Sequence, residues 1–567
     1  MVDVVTIAAG IGQAPSAEEI GAKAANLARV AMLGLPVPPA FVLPVQLGTE
    51  IIQGDRQAEA ELTDSLAKGI QWLESATGKR FGDRRRPLLV SVRSGAARSM
   101  PGMLDTVLNV GCTVAATHGL IRMTGNPRFA WDCRRRFLES YVDTVLGLGA
   151  APFTARLNTL VAEEPVDSDR DLDGEALERL AAAYEALIAD FNTEVSDEAI
   201  DQLTASARAV YRSWTGGRAR TYRRLQGLDH LPGTAVMVQA MVFGNRGLTS
   251  GAGVAFSRNP STGATQSVID MLFDAQGEDV VSGRRTPETE SSIAHLLPAL
   301  ANELNCALLR LERDFRDVQD VEFTIEDDRL WILQTRSAKR TPRAALRFAV
   351  DLVREGVISQ EEGKQRLSGL DLGAVAIARF VEVGGPVARG IGAAAGVAVG
   401  RAAFDSEAAK RWAASGDRVI LVRPDISTAD IAGLAVCEGI MTASGGRTAH
   451  AALVARQMGK ACVVGCDGLT VDLRKRRAQL AEATIEEGGW LSIDGDSGNV
   501  FFGQREIVTE RPEAELAEIA QWQTDNQTPP ARKALAIPLQ PVQKSNLVQI
   551  RRLVRSRGSG DDHENIH

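Results

Sequence analysis

At 567 residues the chain is too long for a single hydrophobic core, because domains run to roughly 100–200 residues each. Hydrophobic residues at 44% and charged residues at 24% are ordinary for a globular protein, and the net charge is −8. That balance excludes a general attraction to nucleic acid or anionic lipid, which needs an excess of Lys and Arg over a face. Asp3 stands where a signal peptide carries cations, and no segment approaches about 20 uninterrupted apolar residues. The sequence therefore predicts a cytoplasmic protein with no membrane partner. The six cysteines (Cys112, Cys133, Cys306, Cys437, Cys462, Cys466) form no CxxC pair and are accompanied by only six histidines, so they read as reduced and buried.

In chain order, a helical run from Ala24 to Leu33 ends at Gly34, and LLVSV at 88–92 reads as a strand. Helix signals dominate 126–225, where Leu177, Leu180, Tyr184, Leu187, Ile188 and Phe191 fall at three- and four-residue steps after an acidic start at Asp173. Strand signals return at 234–336 in VMVQAMVF, GVAF, VEFTI and LWILQ. Helices are expected in AALRFAVDLVREG and SQEEGKQRL, followed by a connector in the Gly/Ala-rich run 384–400. Short apolar strands alternating with helical pieces over 396–503 predict a compact α/β unit. The last residues carry a basic cluster, Arg551, Arg552, Arg555 and Arg557, in a tail expected to be loosely ordered.

The most informative stretch is Gly439 to Cys466, which reads strand, glycine turn, helix. Gly445 and Gly446 permit close backbone approach, Thr448 is the expected N-cap, and AHAALVARQMG continues as a helix. His450 then lies in a first helical turn, where free N–H groups and the helix dipole favour a phosphoryl group on the imidazole. A neutral imidazole is a competent nucleophile near pH 7.

Three segments of the N-terminal half have anion-binding character. Lys23 lies near a helix start, and Arg93 ends a strand that enters the Gly/Ser/Pro loop RSGAARSMPGMLDT, which also holds Arg98. The third segment, 317–337, has a hairpin pattern with its turn at Glu326–Arg329. Asp320 and Glu322 share one face of the first strand, and Gln334 and Arg336 share a face of the return strand. Two carboxylates and an amide suit Mg²⁺ on nucleotide phosphates, while a guanidinium neutralises developing charge.

GGRTAHAALVAR resembles the phosphohistidine loop of the pyruvate phosphate dikinase family, GGxTSHAAxxAR, with Ala449 where the family usually has Ser. The three N-terminal segments, together with MVFGNRGLTSGAGVAFSRNPSTG and AQGEDVVSGRRTP, resemble the family's ATP-grasp-type nucleotide domain. The loop SMPGMLDT favours the dikinase over phosphoenolpyruvate synthases and rifampicin phosphotransferases, which carry a SSATAEDLP-like loop there. The resemblance implies a multidomain fold of α/β and α+β type. An ATP-grasp-like domain at 1–340, with a helical subdomain at about 126–225, is followed by a connector at 341–395, a swivelling α/β phosphohistidine domain at 396–503 and a tail at 504–567.

By the same resemblance His450 is the phosphorylated residue and acts with Arg93 and Arg336. Lys23, Arg93, Asp320, Glu322, Gln334 and Arg336 contact nucleotide, with Glu278 and Asp279 as weaker candidates. Asp320, Glu322 and Gln334 hold Mg²⁺, Gly445, Gly446 and Thr448 shape the loop, and Thr448 matches a Thr phosphorylated in the plant members. The implied ligands are ATP/AMP and phosphate/pyrophosphate. The 64 residues of 504–567 are fewer than the roughly 250 of the family's (β/α)₈ barrel. The expectation is therefore the nucleotide half-reaction alone, with a separate PEP- or pyruvate-binding protein and a homodimer as the partners to test. Two other readings stay open: a small-molecule kinase with another acceptor, and a non-catalytic nucleotide-binding regulatory or carrier module.

Overall fold

Residues 4–522 are described by the structure, a computed structural model, apart from 11–14, 99, 101–102, 167, 248, 283–284, 382–383, 427–429 and 482. The chain divides into two compact units, Met1–Val242 with Trp331–Thr335, and Phe243–Leu330 with Arg336–His567. This division falls within the stretch 1–340 expected as the nucleotide-binding domain, because the second sheet packs with the C-terminal elements. Among the described residues no helix is long and apolar enough to cross a membrane.

The first unit opens with β1 (Val5–Ile7), antiparallel to β2 (Ala40–Leu43). The short strands β3 (Arg80–Phe81) and β4 (Pro87–Leu88) pair with each other. Strands β5 (Val90–Gly95), β6 (Thr106–Val110) and β7 (Ala235–Ala240) join β1 and β2 in a five-stranded sheet of order β1-β2-β7-β5-β6. Strands β2 and β7 are buried throughout, hence their unbroken apolar runs. The first helix is Ala17–Met32, capped by Ser16 and kinked at Gly21; the sequence pattern begins it only at Ala24 because Gly21 hides the first turn. Among the described residues, five α-helices lie between Pro127 and Gln226 in the helical region. In Gly174–Asp190, capped by Asp173, the expected stripe of Leu177, Leu180, Tyr184 and Ile188 is buried. Phe191 lies past the helix end and is exposed.

The second unit begins with β8 (Gly251–Phe256), β9 (Val268–Phe273), β10 (Glu288–Thr289) and β11 (Gln319–Glu326), antiparallel neighbours in the order β10-β9-β8-β11. Asp327 and Asp328 then turn the chain with φ of 48° and 62°, the two positive values of a type I′ hairpin turn. Strand β12 (Arg329–Ser337) comes next, its ends in this unit and its centre in the first. Helices Pro342–Arg354 and Gln360–Leu367, the latter with a Ser359/Glu362 capping box, lead to β13 (Ile377–Phe380).

Next come β14 (Ala388–Arg389), β15 (Ile391–Ala394), β16 (Val397–Ala403), β17 (Val419–Arg423), β18 (Gly439–Thr442) and β19 (Ala461–Val464). A three-stranded meander, β20 (Leu469–Asp472), β21 (Arg477–Leu480) and β22 (Ala483–Glu486), precedes β23 (Trp490–Asp494) and β24 (Asn499–Phe502). The resulting eight-stranded sheet has the order β14-β24-β23-β16-β17-β18-β19-β15. Its centre, β16 to β19, is parallel, with an apolar cluster on either face.

Two expectations are corrected here. The Gly/Ala-rich run 384–400 contributes β14, β15 and the start of β16, so it is sheet from 388 onward. A Cβ on Gly392 would lie 2.6 Å from the Gly495 carbonyl oxygen, and one on Gly400 would lie 2.7 Å from Val419 backbone. These glycines serve close packing between strands, which composition alone does not distinguish from a linker. The expected tail at 504–567 contains β25 (Ile507–Glu510), antiparallel to β13, and helix Glu513–Trp522. Ile519 and Trp522 of that helix are buried with Leu346, Val350 and Leu367. The basic cluster at 551–557 lies outside the described residues.

Candidate active site

In the first unit the end of β5 meets the start of the Ala17–Met32 helix. Gly21 has φ of +80°, and a Cβ there would stand 2.0 Å from the Gly95 carbonyl oxygen, so only glycine admits this approach. The Ala22 N–H donates to Ala96 O at 2.9 Å. Lys23 comes directly after, its Cβ 4.0 Å from where a Gly95 Cβ would be. Arg93 is two residues before Gly95 on β5, paired to Met237 of β7 and Thr106 of β6. Asn26, one turn after Lys23, donates to Thr335 O at 3.0 Å, which brings buried Gln334 beside the same helix. Lys23, Arg93 and Gln334 are thus gathered in one unit. Ser99, Pro101 and Gly102 of the SMPGMLDT loop lie outside the described residues.

In the second unit Asp320 and Glu322 are two residues apart on β11, opposite Phe256 and Val254 of β8. Arg336 donates from Nε to Asp320 Oδ2 at 2.8 Å, and its Nη1 is 3.9 Å from Glu322. Asp320 is 4% exposed, and this burial raises its pKa despite Arg336. Burial also works against the Arg336 cation, but Asp320 and Glu322 outweigh it and hold its pKa above the usual value. Glu278 and Asp279 lie on the short helix Gly277–Ser282. There Asp279 accepts from the Gln276 N–H at 2.9 Å, a capping bond at the helix start.

The same unit carries the histidine loop. Strand β18 leads to Gly445, at φ of +114°, and to Gly446, whose Cβ would lie 2.4 Å from Pro287 and 2.9 Å from Asp270 Oδ2. His450 is the first residue of the helix His450–Met458; its side chain lies outside the described residues. The N-cap is Ala449, with no side-chain hydrogen bond, and not Thr448 as the sequence pattern suggests. Thr448 stands one residue too early, and its hydroxyl is buried without a partner. Ala449 therefore supplies no side-chain acceptor to the N–H groups of the first turn, the position where a helix dipole favours negative charge.

Sequence reasoning misses the carboxylate under this loop. Asp270, on β9 and 1% exposed, accepts from the Arg447 N–H at 2.5 Å and from Arg447 Nη1 at 3.1 Å. Burial raises its pKa, against the pull of Arg447. The signal in the sequence is an acid inside the apolar run VIDMLF. Two smaller contacts accompany it, Arg343 to Asp496 at 3.1 Å and Ser261 Oγ to Ala393 O at 3.1 Å.

Two family models match separate stretches of the chain. The family model described as pyruvate phosphate dikinase, AMP/ATP-binding domain, matches residues 55–294 and 286–355, which include every nucleotide candidate except Lys23. The family model described as PEP-utilising enzyme, mobile domain, matches residues 416–498, which include His450. The chain is thus a multidomain α/β protein that joins a nucleotide-binding domain to a mobile domain of the PEP-utilising type. Among curated relatives, pyruvate, phosphate dikinase of Clostridium symbiosum is 41% identical over 517 residues, 90% of this chain and 59% of the relative. That of Rhizobium meliloti is 40% identical over 530 residues, 90% of this chain and 59% of the relative. Chloroplastic pyruvate, phosphate dikinase 1 of Arabidopsis thaliana is 38% identical over 510 residues, 89% of this chain and 53% of the relative. The chain belongs to the pyruvate phosphate dikinase family, and it spans between half and two thirds of the length of these relatives.

Proposed function

We propose that this chain is a phosphotransferase carrying out the nucleotide half-reaction of a pyruvate phosphate dikinase, in which ATP, orthophosphate and His450 give AMP, pyrophosphate and phosphohistidine. The observation that carries this reading is the first turn of the His450 helix. Its N-cap, Ala449, offers no acceptor, so backbone donors stand ready for a phosphoryl group on the residue that begins the helix. Lys23, Arg93 and Gln334 are the nucleotide contacts of the first unit in an ATP-grasp-like arrangement. Asp320, Glu322 and Arg336 are those of the second, Arg336 facing the charge that develops in transfer.

Mg²⁺ fits the same cluster. Asp320 Oδ1 is buried without a protein partner, two residues from Glu322, and divalent cations of this kind take carboxylate oxygen. We assign Asp320 and Glu322 to it; when bound, the ion supplies charge neutralisation on the polyphosphate. The names of the relatives make pyruvate the final acceptor in this reading, met by the phosphohistidine on another binding surface. A cytoplasmic location accompanies it, with all six cysteines unlinked.

The test is to incubate the full chain with Mg²⁺, orthophosphate and ATP labelled at each phosphate in turn. An acid-labile, base-stable label should appear on His450 and be lost in His450→Asn. Label that persists in that variant moves the nucleophile elsewhere and ends this reading.

A further inference from the structure

Among the second unit's buried polar atoms without a protein partner are two of opposite character: Oδ1 of Asp320, an acceptor, and Nη1 of Arg456, a donor. Each residue is 4% exposed. Arg456 lies on the helix that His450 begins, and its other two nitrogens each have a partner. Nε donates to Ala452 O at 3.2 Å, and Nη2 donates to Arg447 O. Its guanidinium carbon is 5.4 Å from the centre of the Phe256 ring, and Phe256 is the cross-strand partner of Asp320. Burial disfavours the Arg456 cation and lowers its pKa; Asp320, ahead of Asp270, is the charge that most opposes this.

Buried polar groups in folded proteins almost always find a hydrogen-bond partner. Two complementary orphans, one on β11 and one beside its cross-strand partner Phe256, therefore call for a bridge. The bridge must offer positive charge or a donor to the carboxylate and an acceptor to the guanidinium. A divalent cation bound to a phosphate oxygen offers both at once.

We propose that Arg456 binds the phosphate whose metal ion Asp320 holds, so that the helix bearing His450 brings its own phosphate-binding cation to the nucleotide. This rests on the half-reaction proposed above. Two donors of Arg456 stay with its own loop and helix, while Nη1 is reserved for the ligand. Charge stabilisation of the transferring group is then available only where the His450 helix stands against β8 and β11, which ties the electrostatics of transfer to the presence of the nucleophile.

The test uses the full chain and its Arg456→Gln and Arg456→Lys variants. Binding of ATP with Mn²⁺, followed by the electron paramagnetic resonance of the ion, reads the bridge without turnover. Arg456→Gln should weaken Mn²⁺·ATP by about tenfold or more, as loss of one charge-assisted phosphate contact implies, and leave AMP binding unchanged. Guanidinium ion added to that variant should restore part of the His450 labelling rate. Arg456→Lys, which keeps the charge without the fork, should fall between. If the Gln variant does not fold, the Lys variant decides on the same readout. Affinity for Mn²⁺·ATP within about threefold of wild type in the folded variants would overturn the proposal, leaving water as the bridge and Arg456 as a loop anchor. Wild-type protein that acquires no label on His450 would instead defeat the half-reaction, so the two failures are distinguishable.

Discussion

Arg447→Met is the most direct probe of what holds the histidine loop. The substitution keeps the backbone N–H that reaches Asp270 at 2.5 Å and deletes the guanidinium at 3.1 Å. Removing one partner of a buried pair costs about 3–5 kcal/mol; the Arg447 side chain is 24% exposed, so the lower end, about 3 kcal/mol, applies. The orphaned carboxyl has an escape, which is to bind a proton. Asp270 already sits above the ordinary carboxylate pKa because of burial, and losing Arg447 moves it further up. A carboxyl whose folded pKa is raised costs nothing below its unfolded value and destabilises increasingly as pH climbs through the folded one. The variant should therefore be near wild type at about pH 5 and show its full loss at about pH 8. Hydrogen exchange of peptides covering 445–458, corrected for intrinsic rates, reads this locally. A loss of about 3 kcal/mol corresponds to roughly hundredfold faster opening. Adding Asp270→Asn removes the titrating group and should abolish the pH dependence. Acceleration that is equal at both pH values, or that survives in the double variant, would refute the pairing as the restraint.

Asp132 offers a contrasting titration in the first unit. It is buried, which by itself would raise its pKa, but Arg136 and Arg135 outweigh this and hold it far below the usual range; its oxygens accept from Arg135 Nη2 at 2.6 Å and Arg136 Nε at 2.9 Å. A depressed carboxyl contributes stability that is present above its unfolded pKa and lost as pH falls below it. Asp132→Asn should thus cost about 3–5 kcal/mol near neutrality in thermal unfolding, with the gap to wild type narrowing below about pH 4; a constant gap would contradict the ion-pair account. Ala449→Ser supplies the missing cap acceptor, and should slow exchange at the amides of Ala451 and Ala452 by an amount equivalent to about 0.5–2 kcal/mol. Unchanged exchange there would mean that the new hydroxyl points away from the helix.

What can be read from the sequence depends on the distance over which each interaction acts. The strands VILV, GIMT and CVVG are legible because central parallel strands, buried on both faces, are unbroken apolar runs. Asp320, Glu322 and Arg336 are legible because a hairpin turn brings Arg336 back within 16 residues of Asp320, where period-two alternation is enough to place them on faces. The N-cap is misplaced by one residue, since composition favours Thr448 while backbone geometry puts Ala449 at the boundary. The glycines at 392 and 400 read as freedom when the fold uses them for contact. Asp270 and Arg447 lie 177 residues apart, beyond any periodicity, and neither stands out alone: one is an acid in an apolar strand, the other the variable position of a glycine loop. Yet a carboxylate inside VIDMLF is hard to account for unless a cation is delivered to it from elsewhere in the chain. That reasoning leads from β9 to the histidine loop without any motif, and the same reasoning applied to the orphaned donor on Arg456 leads back from the loop to Asp320.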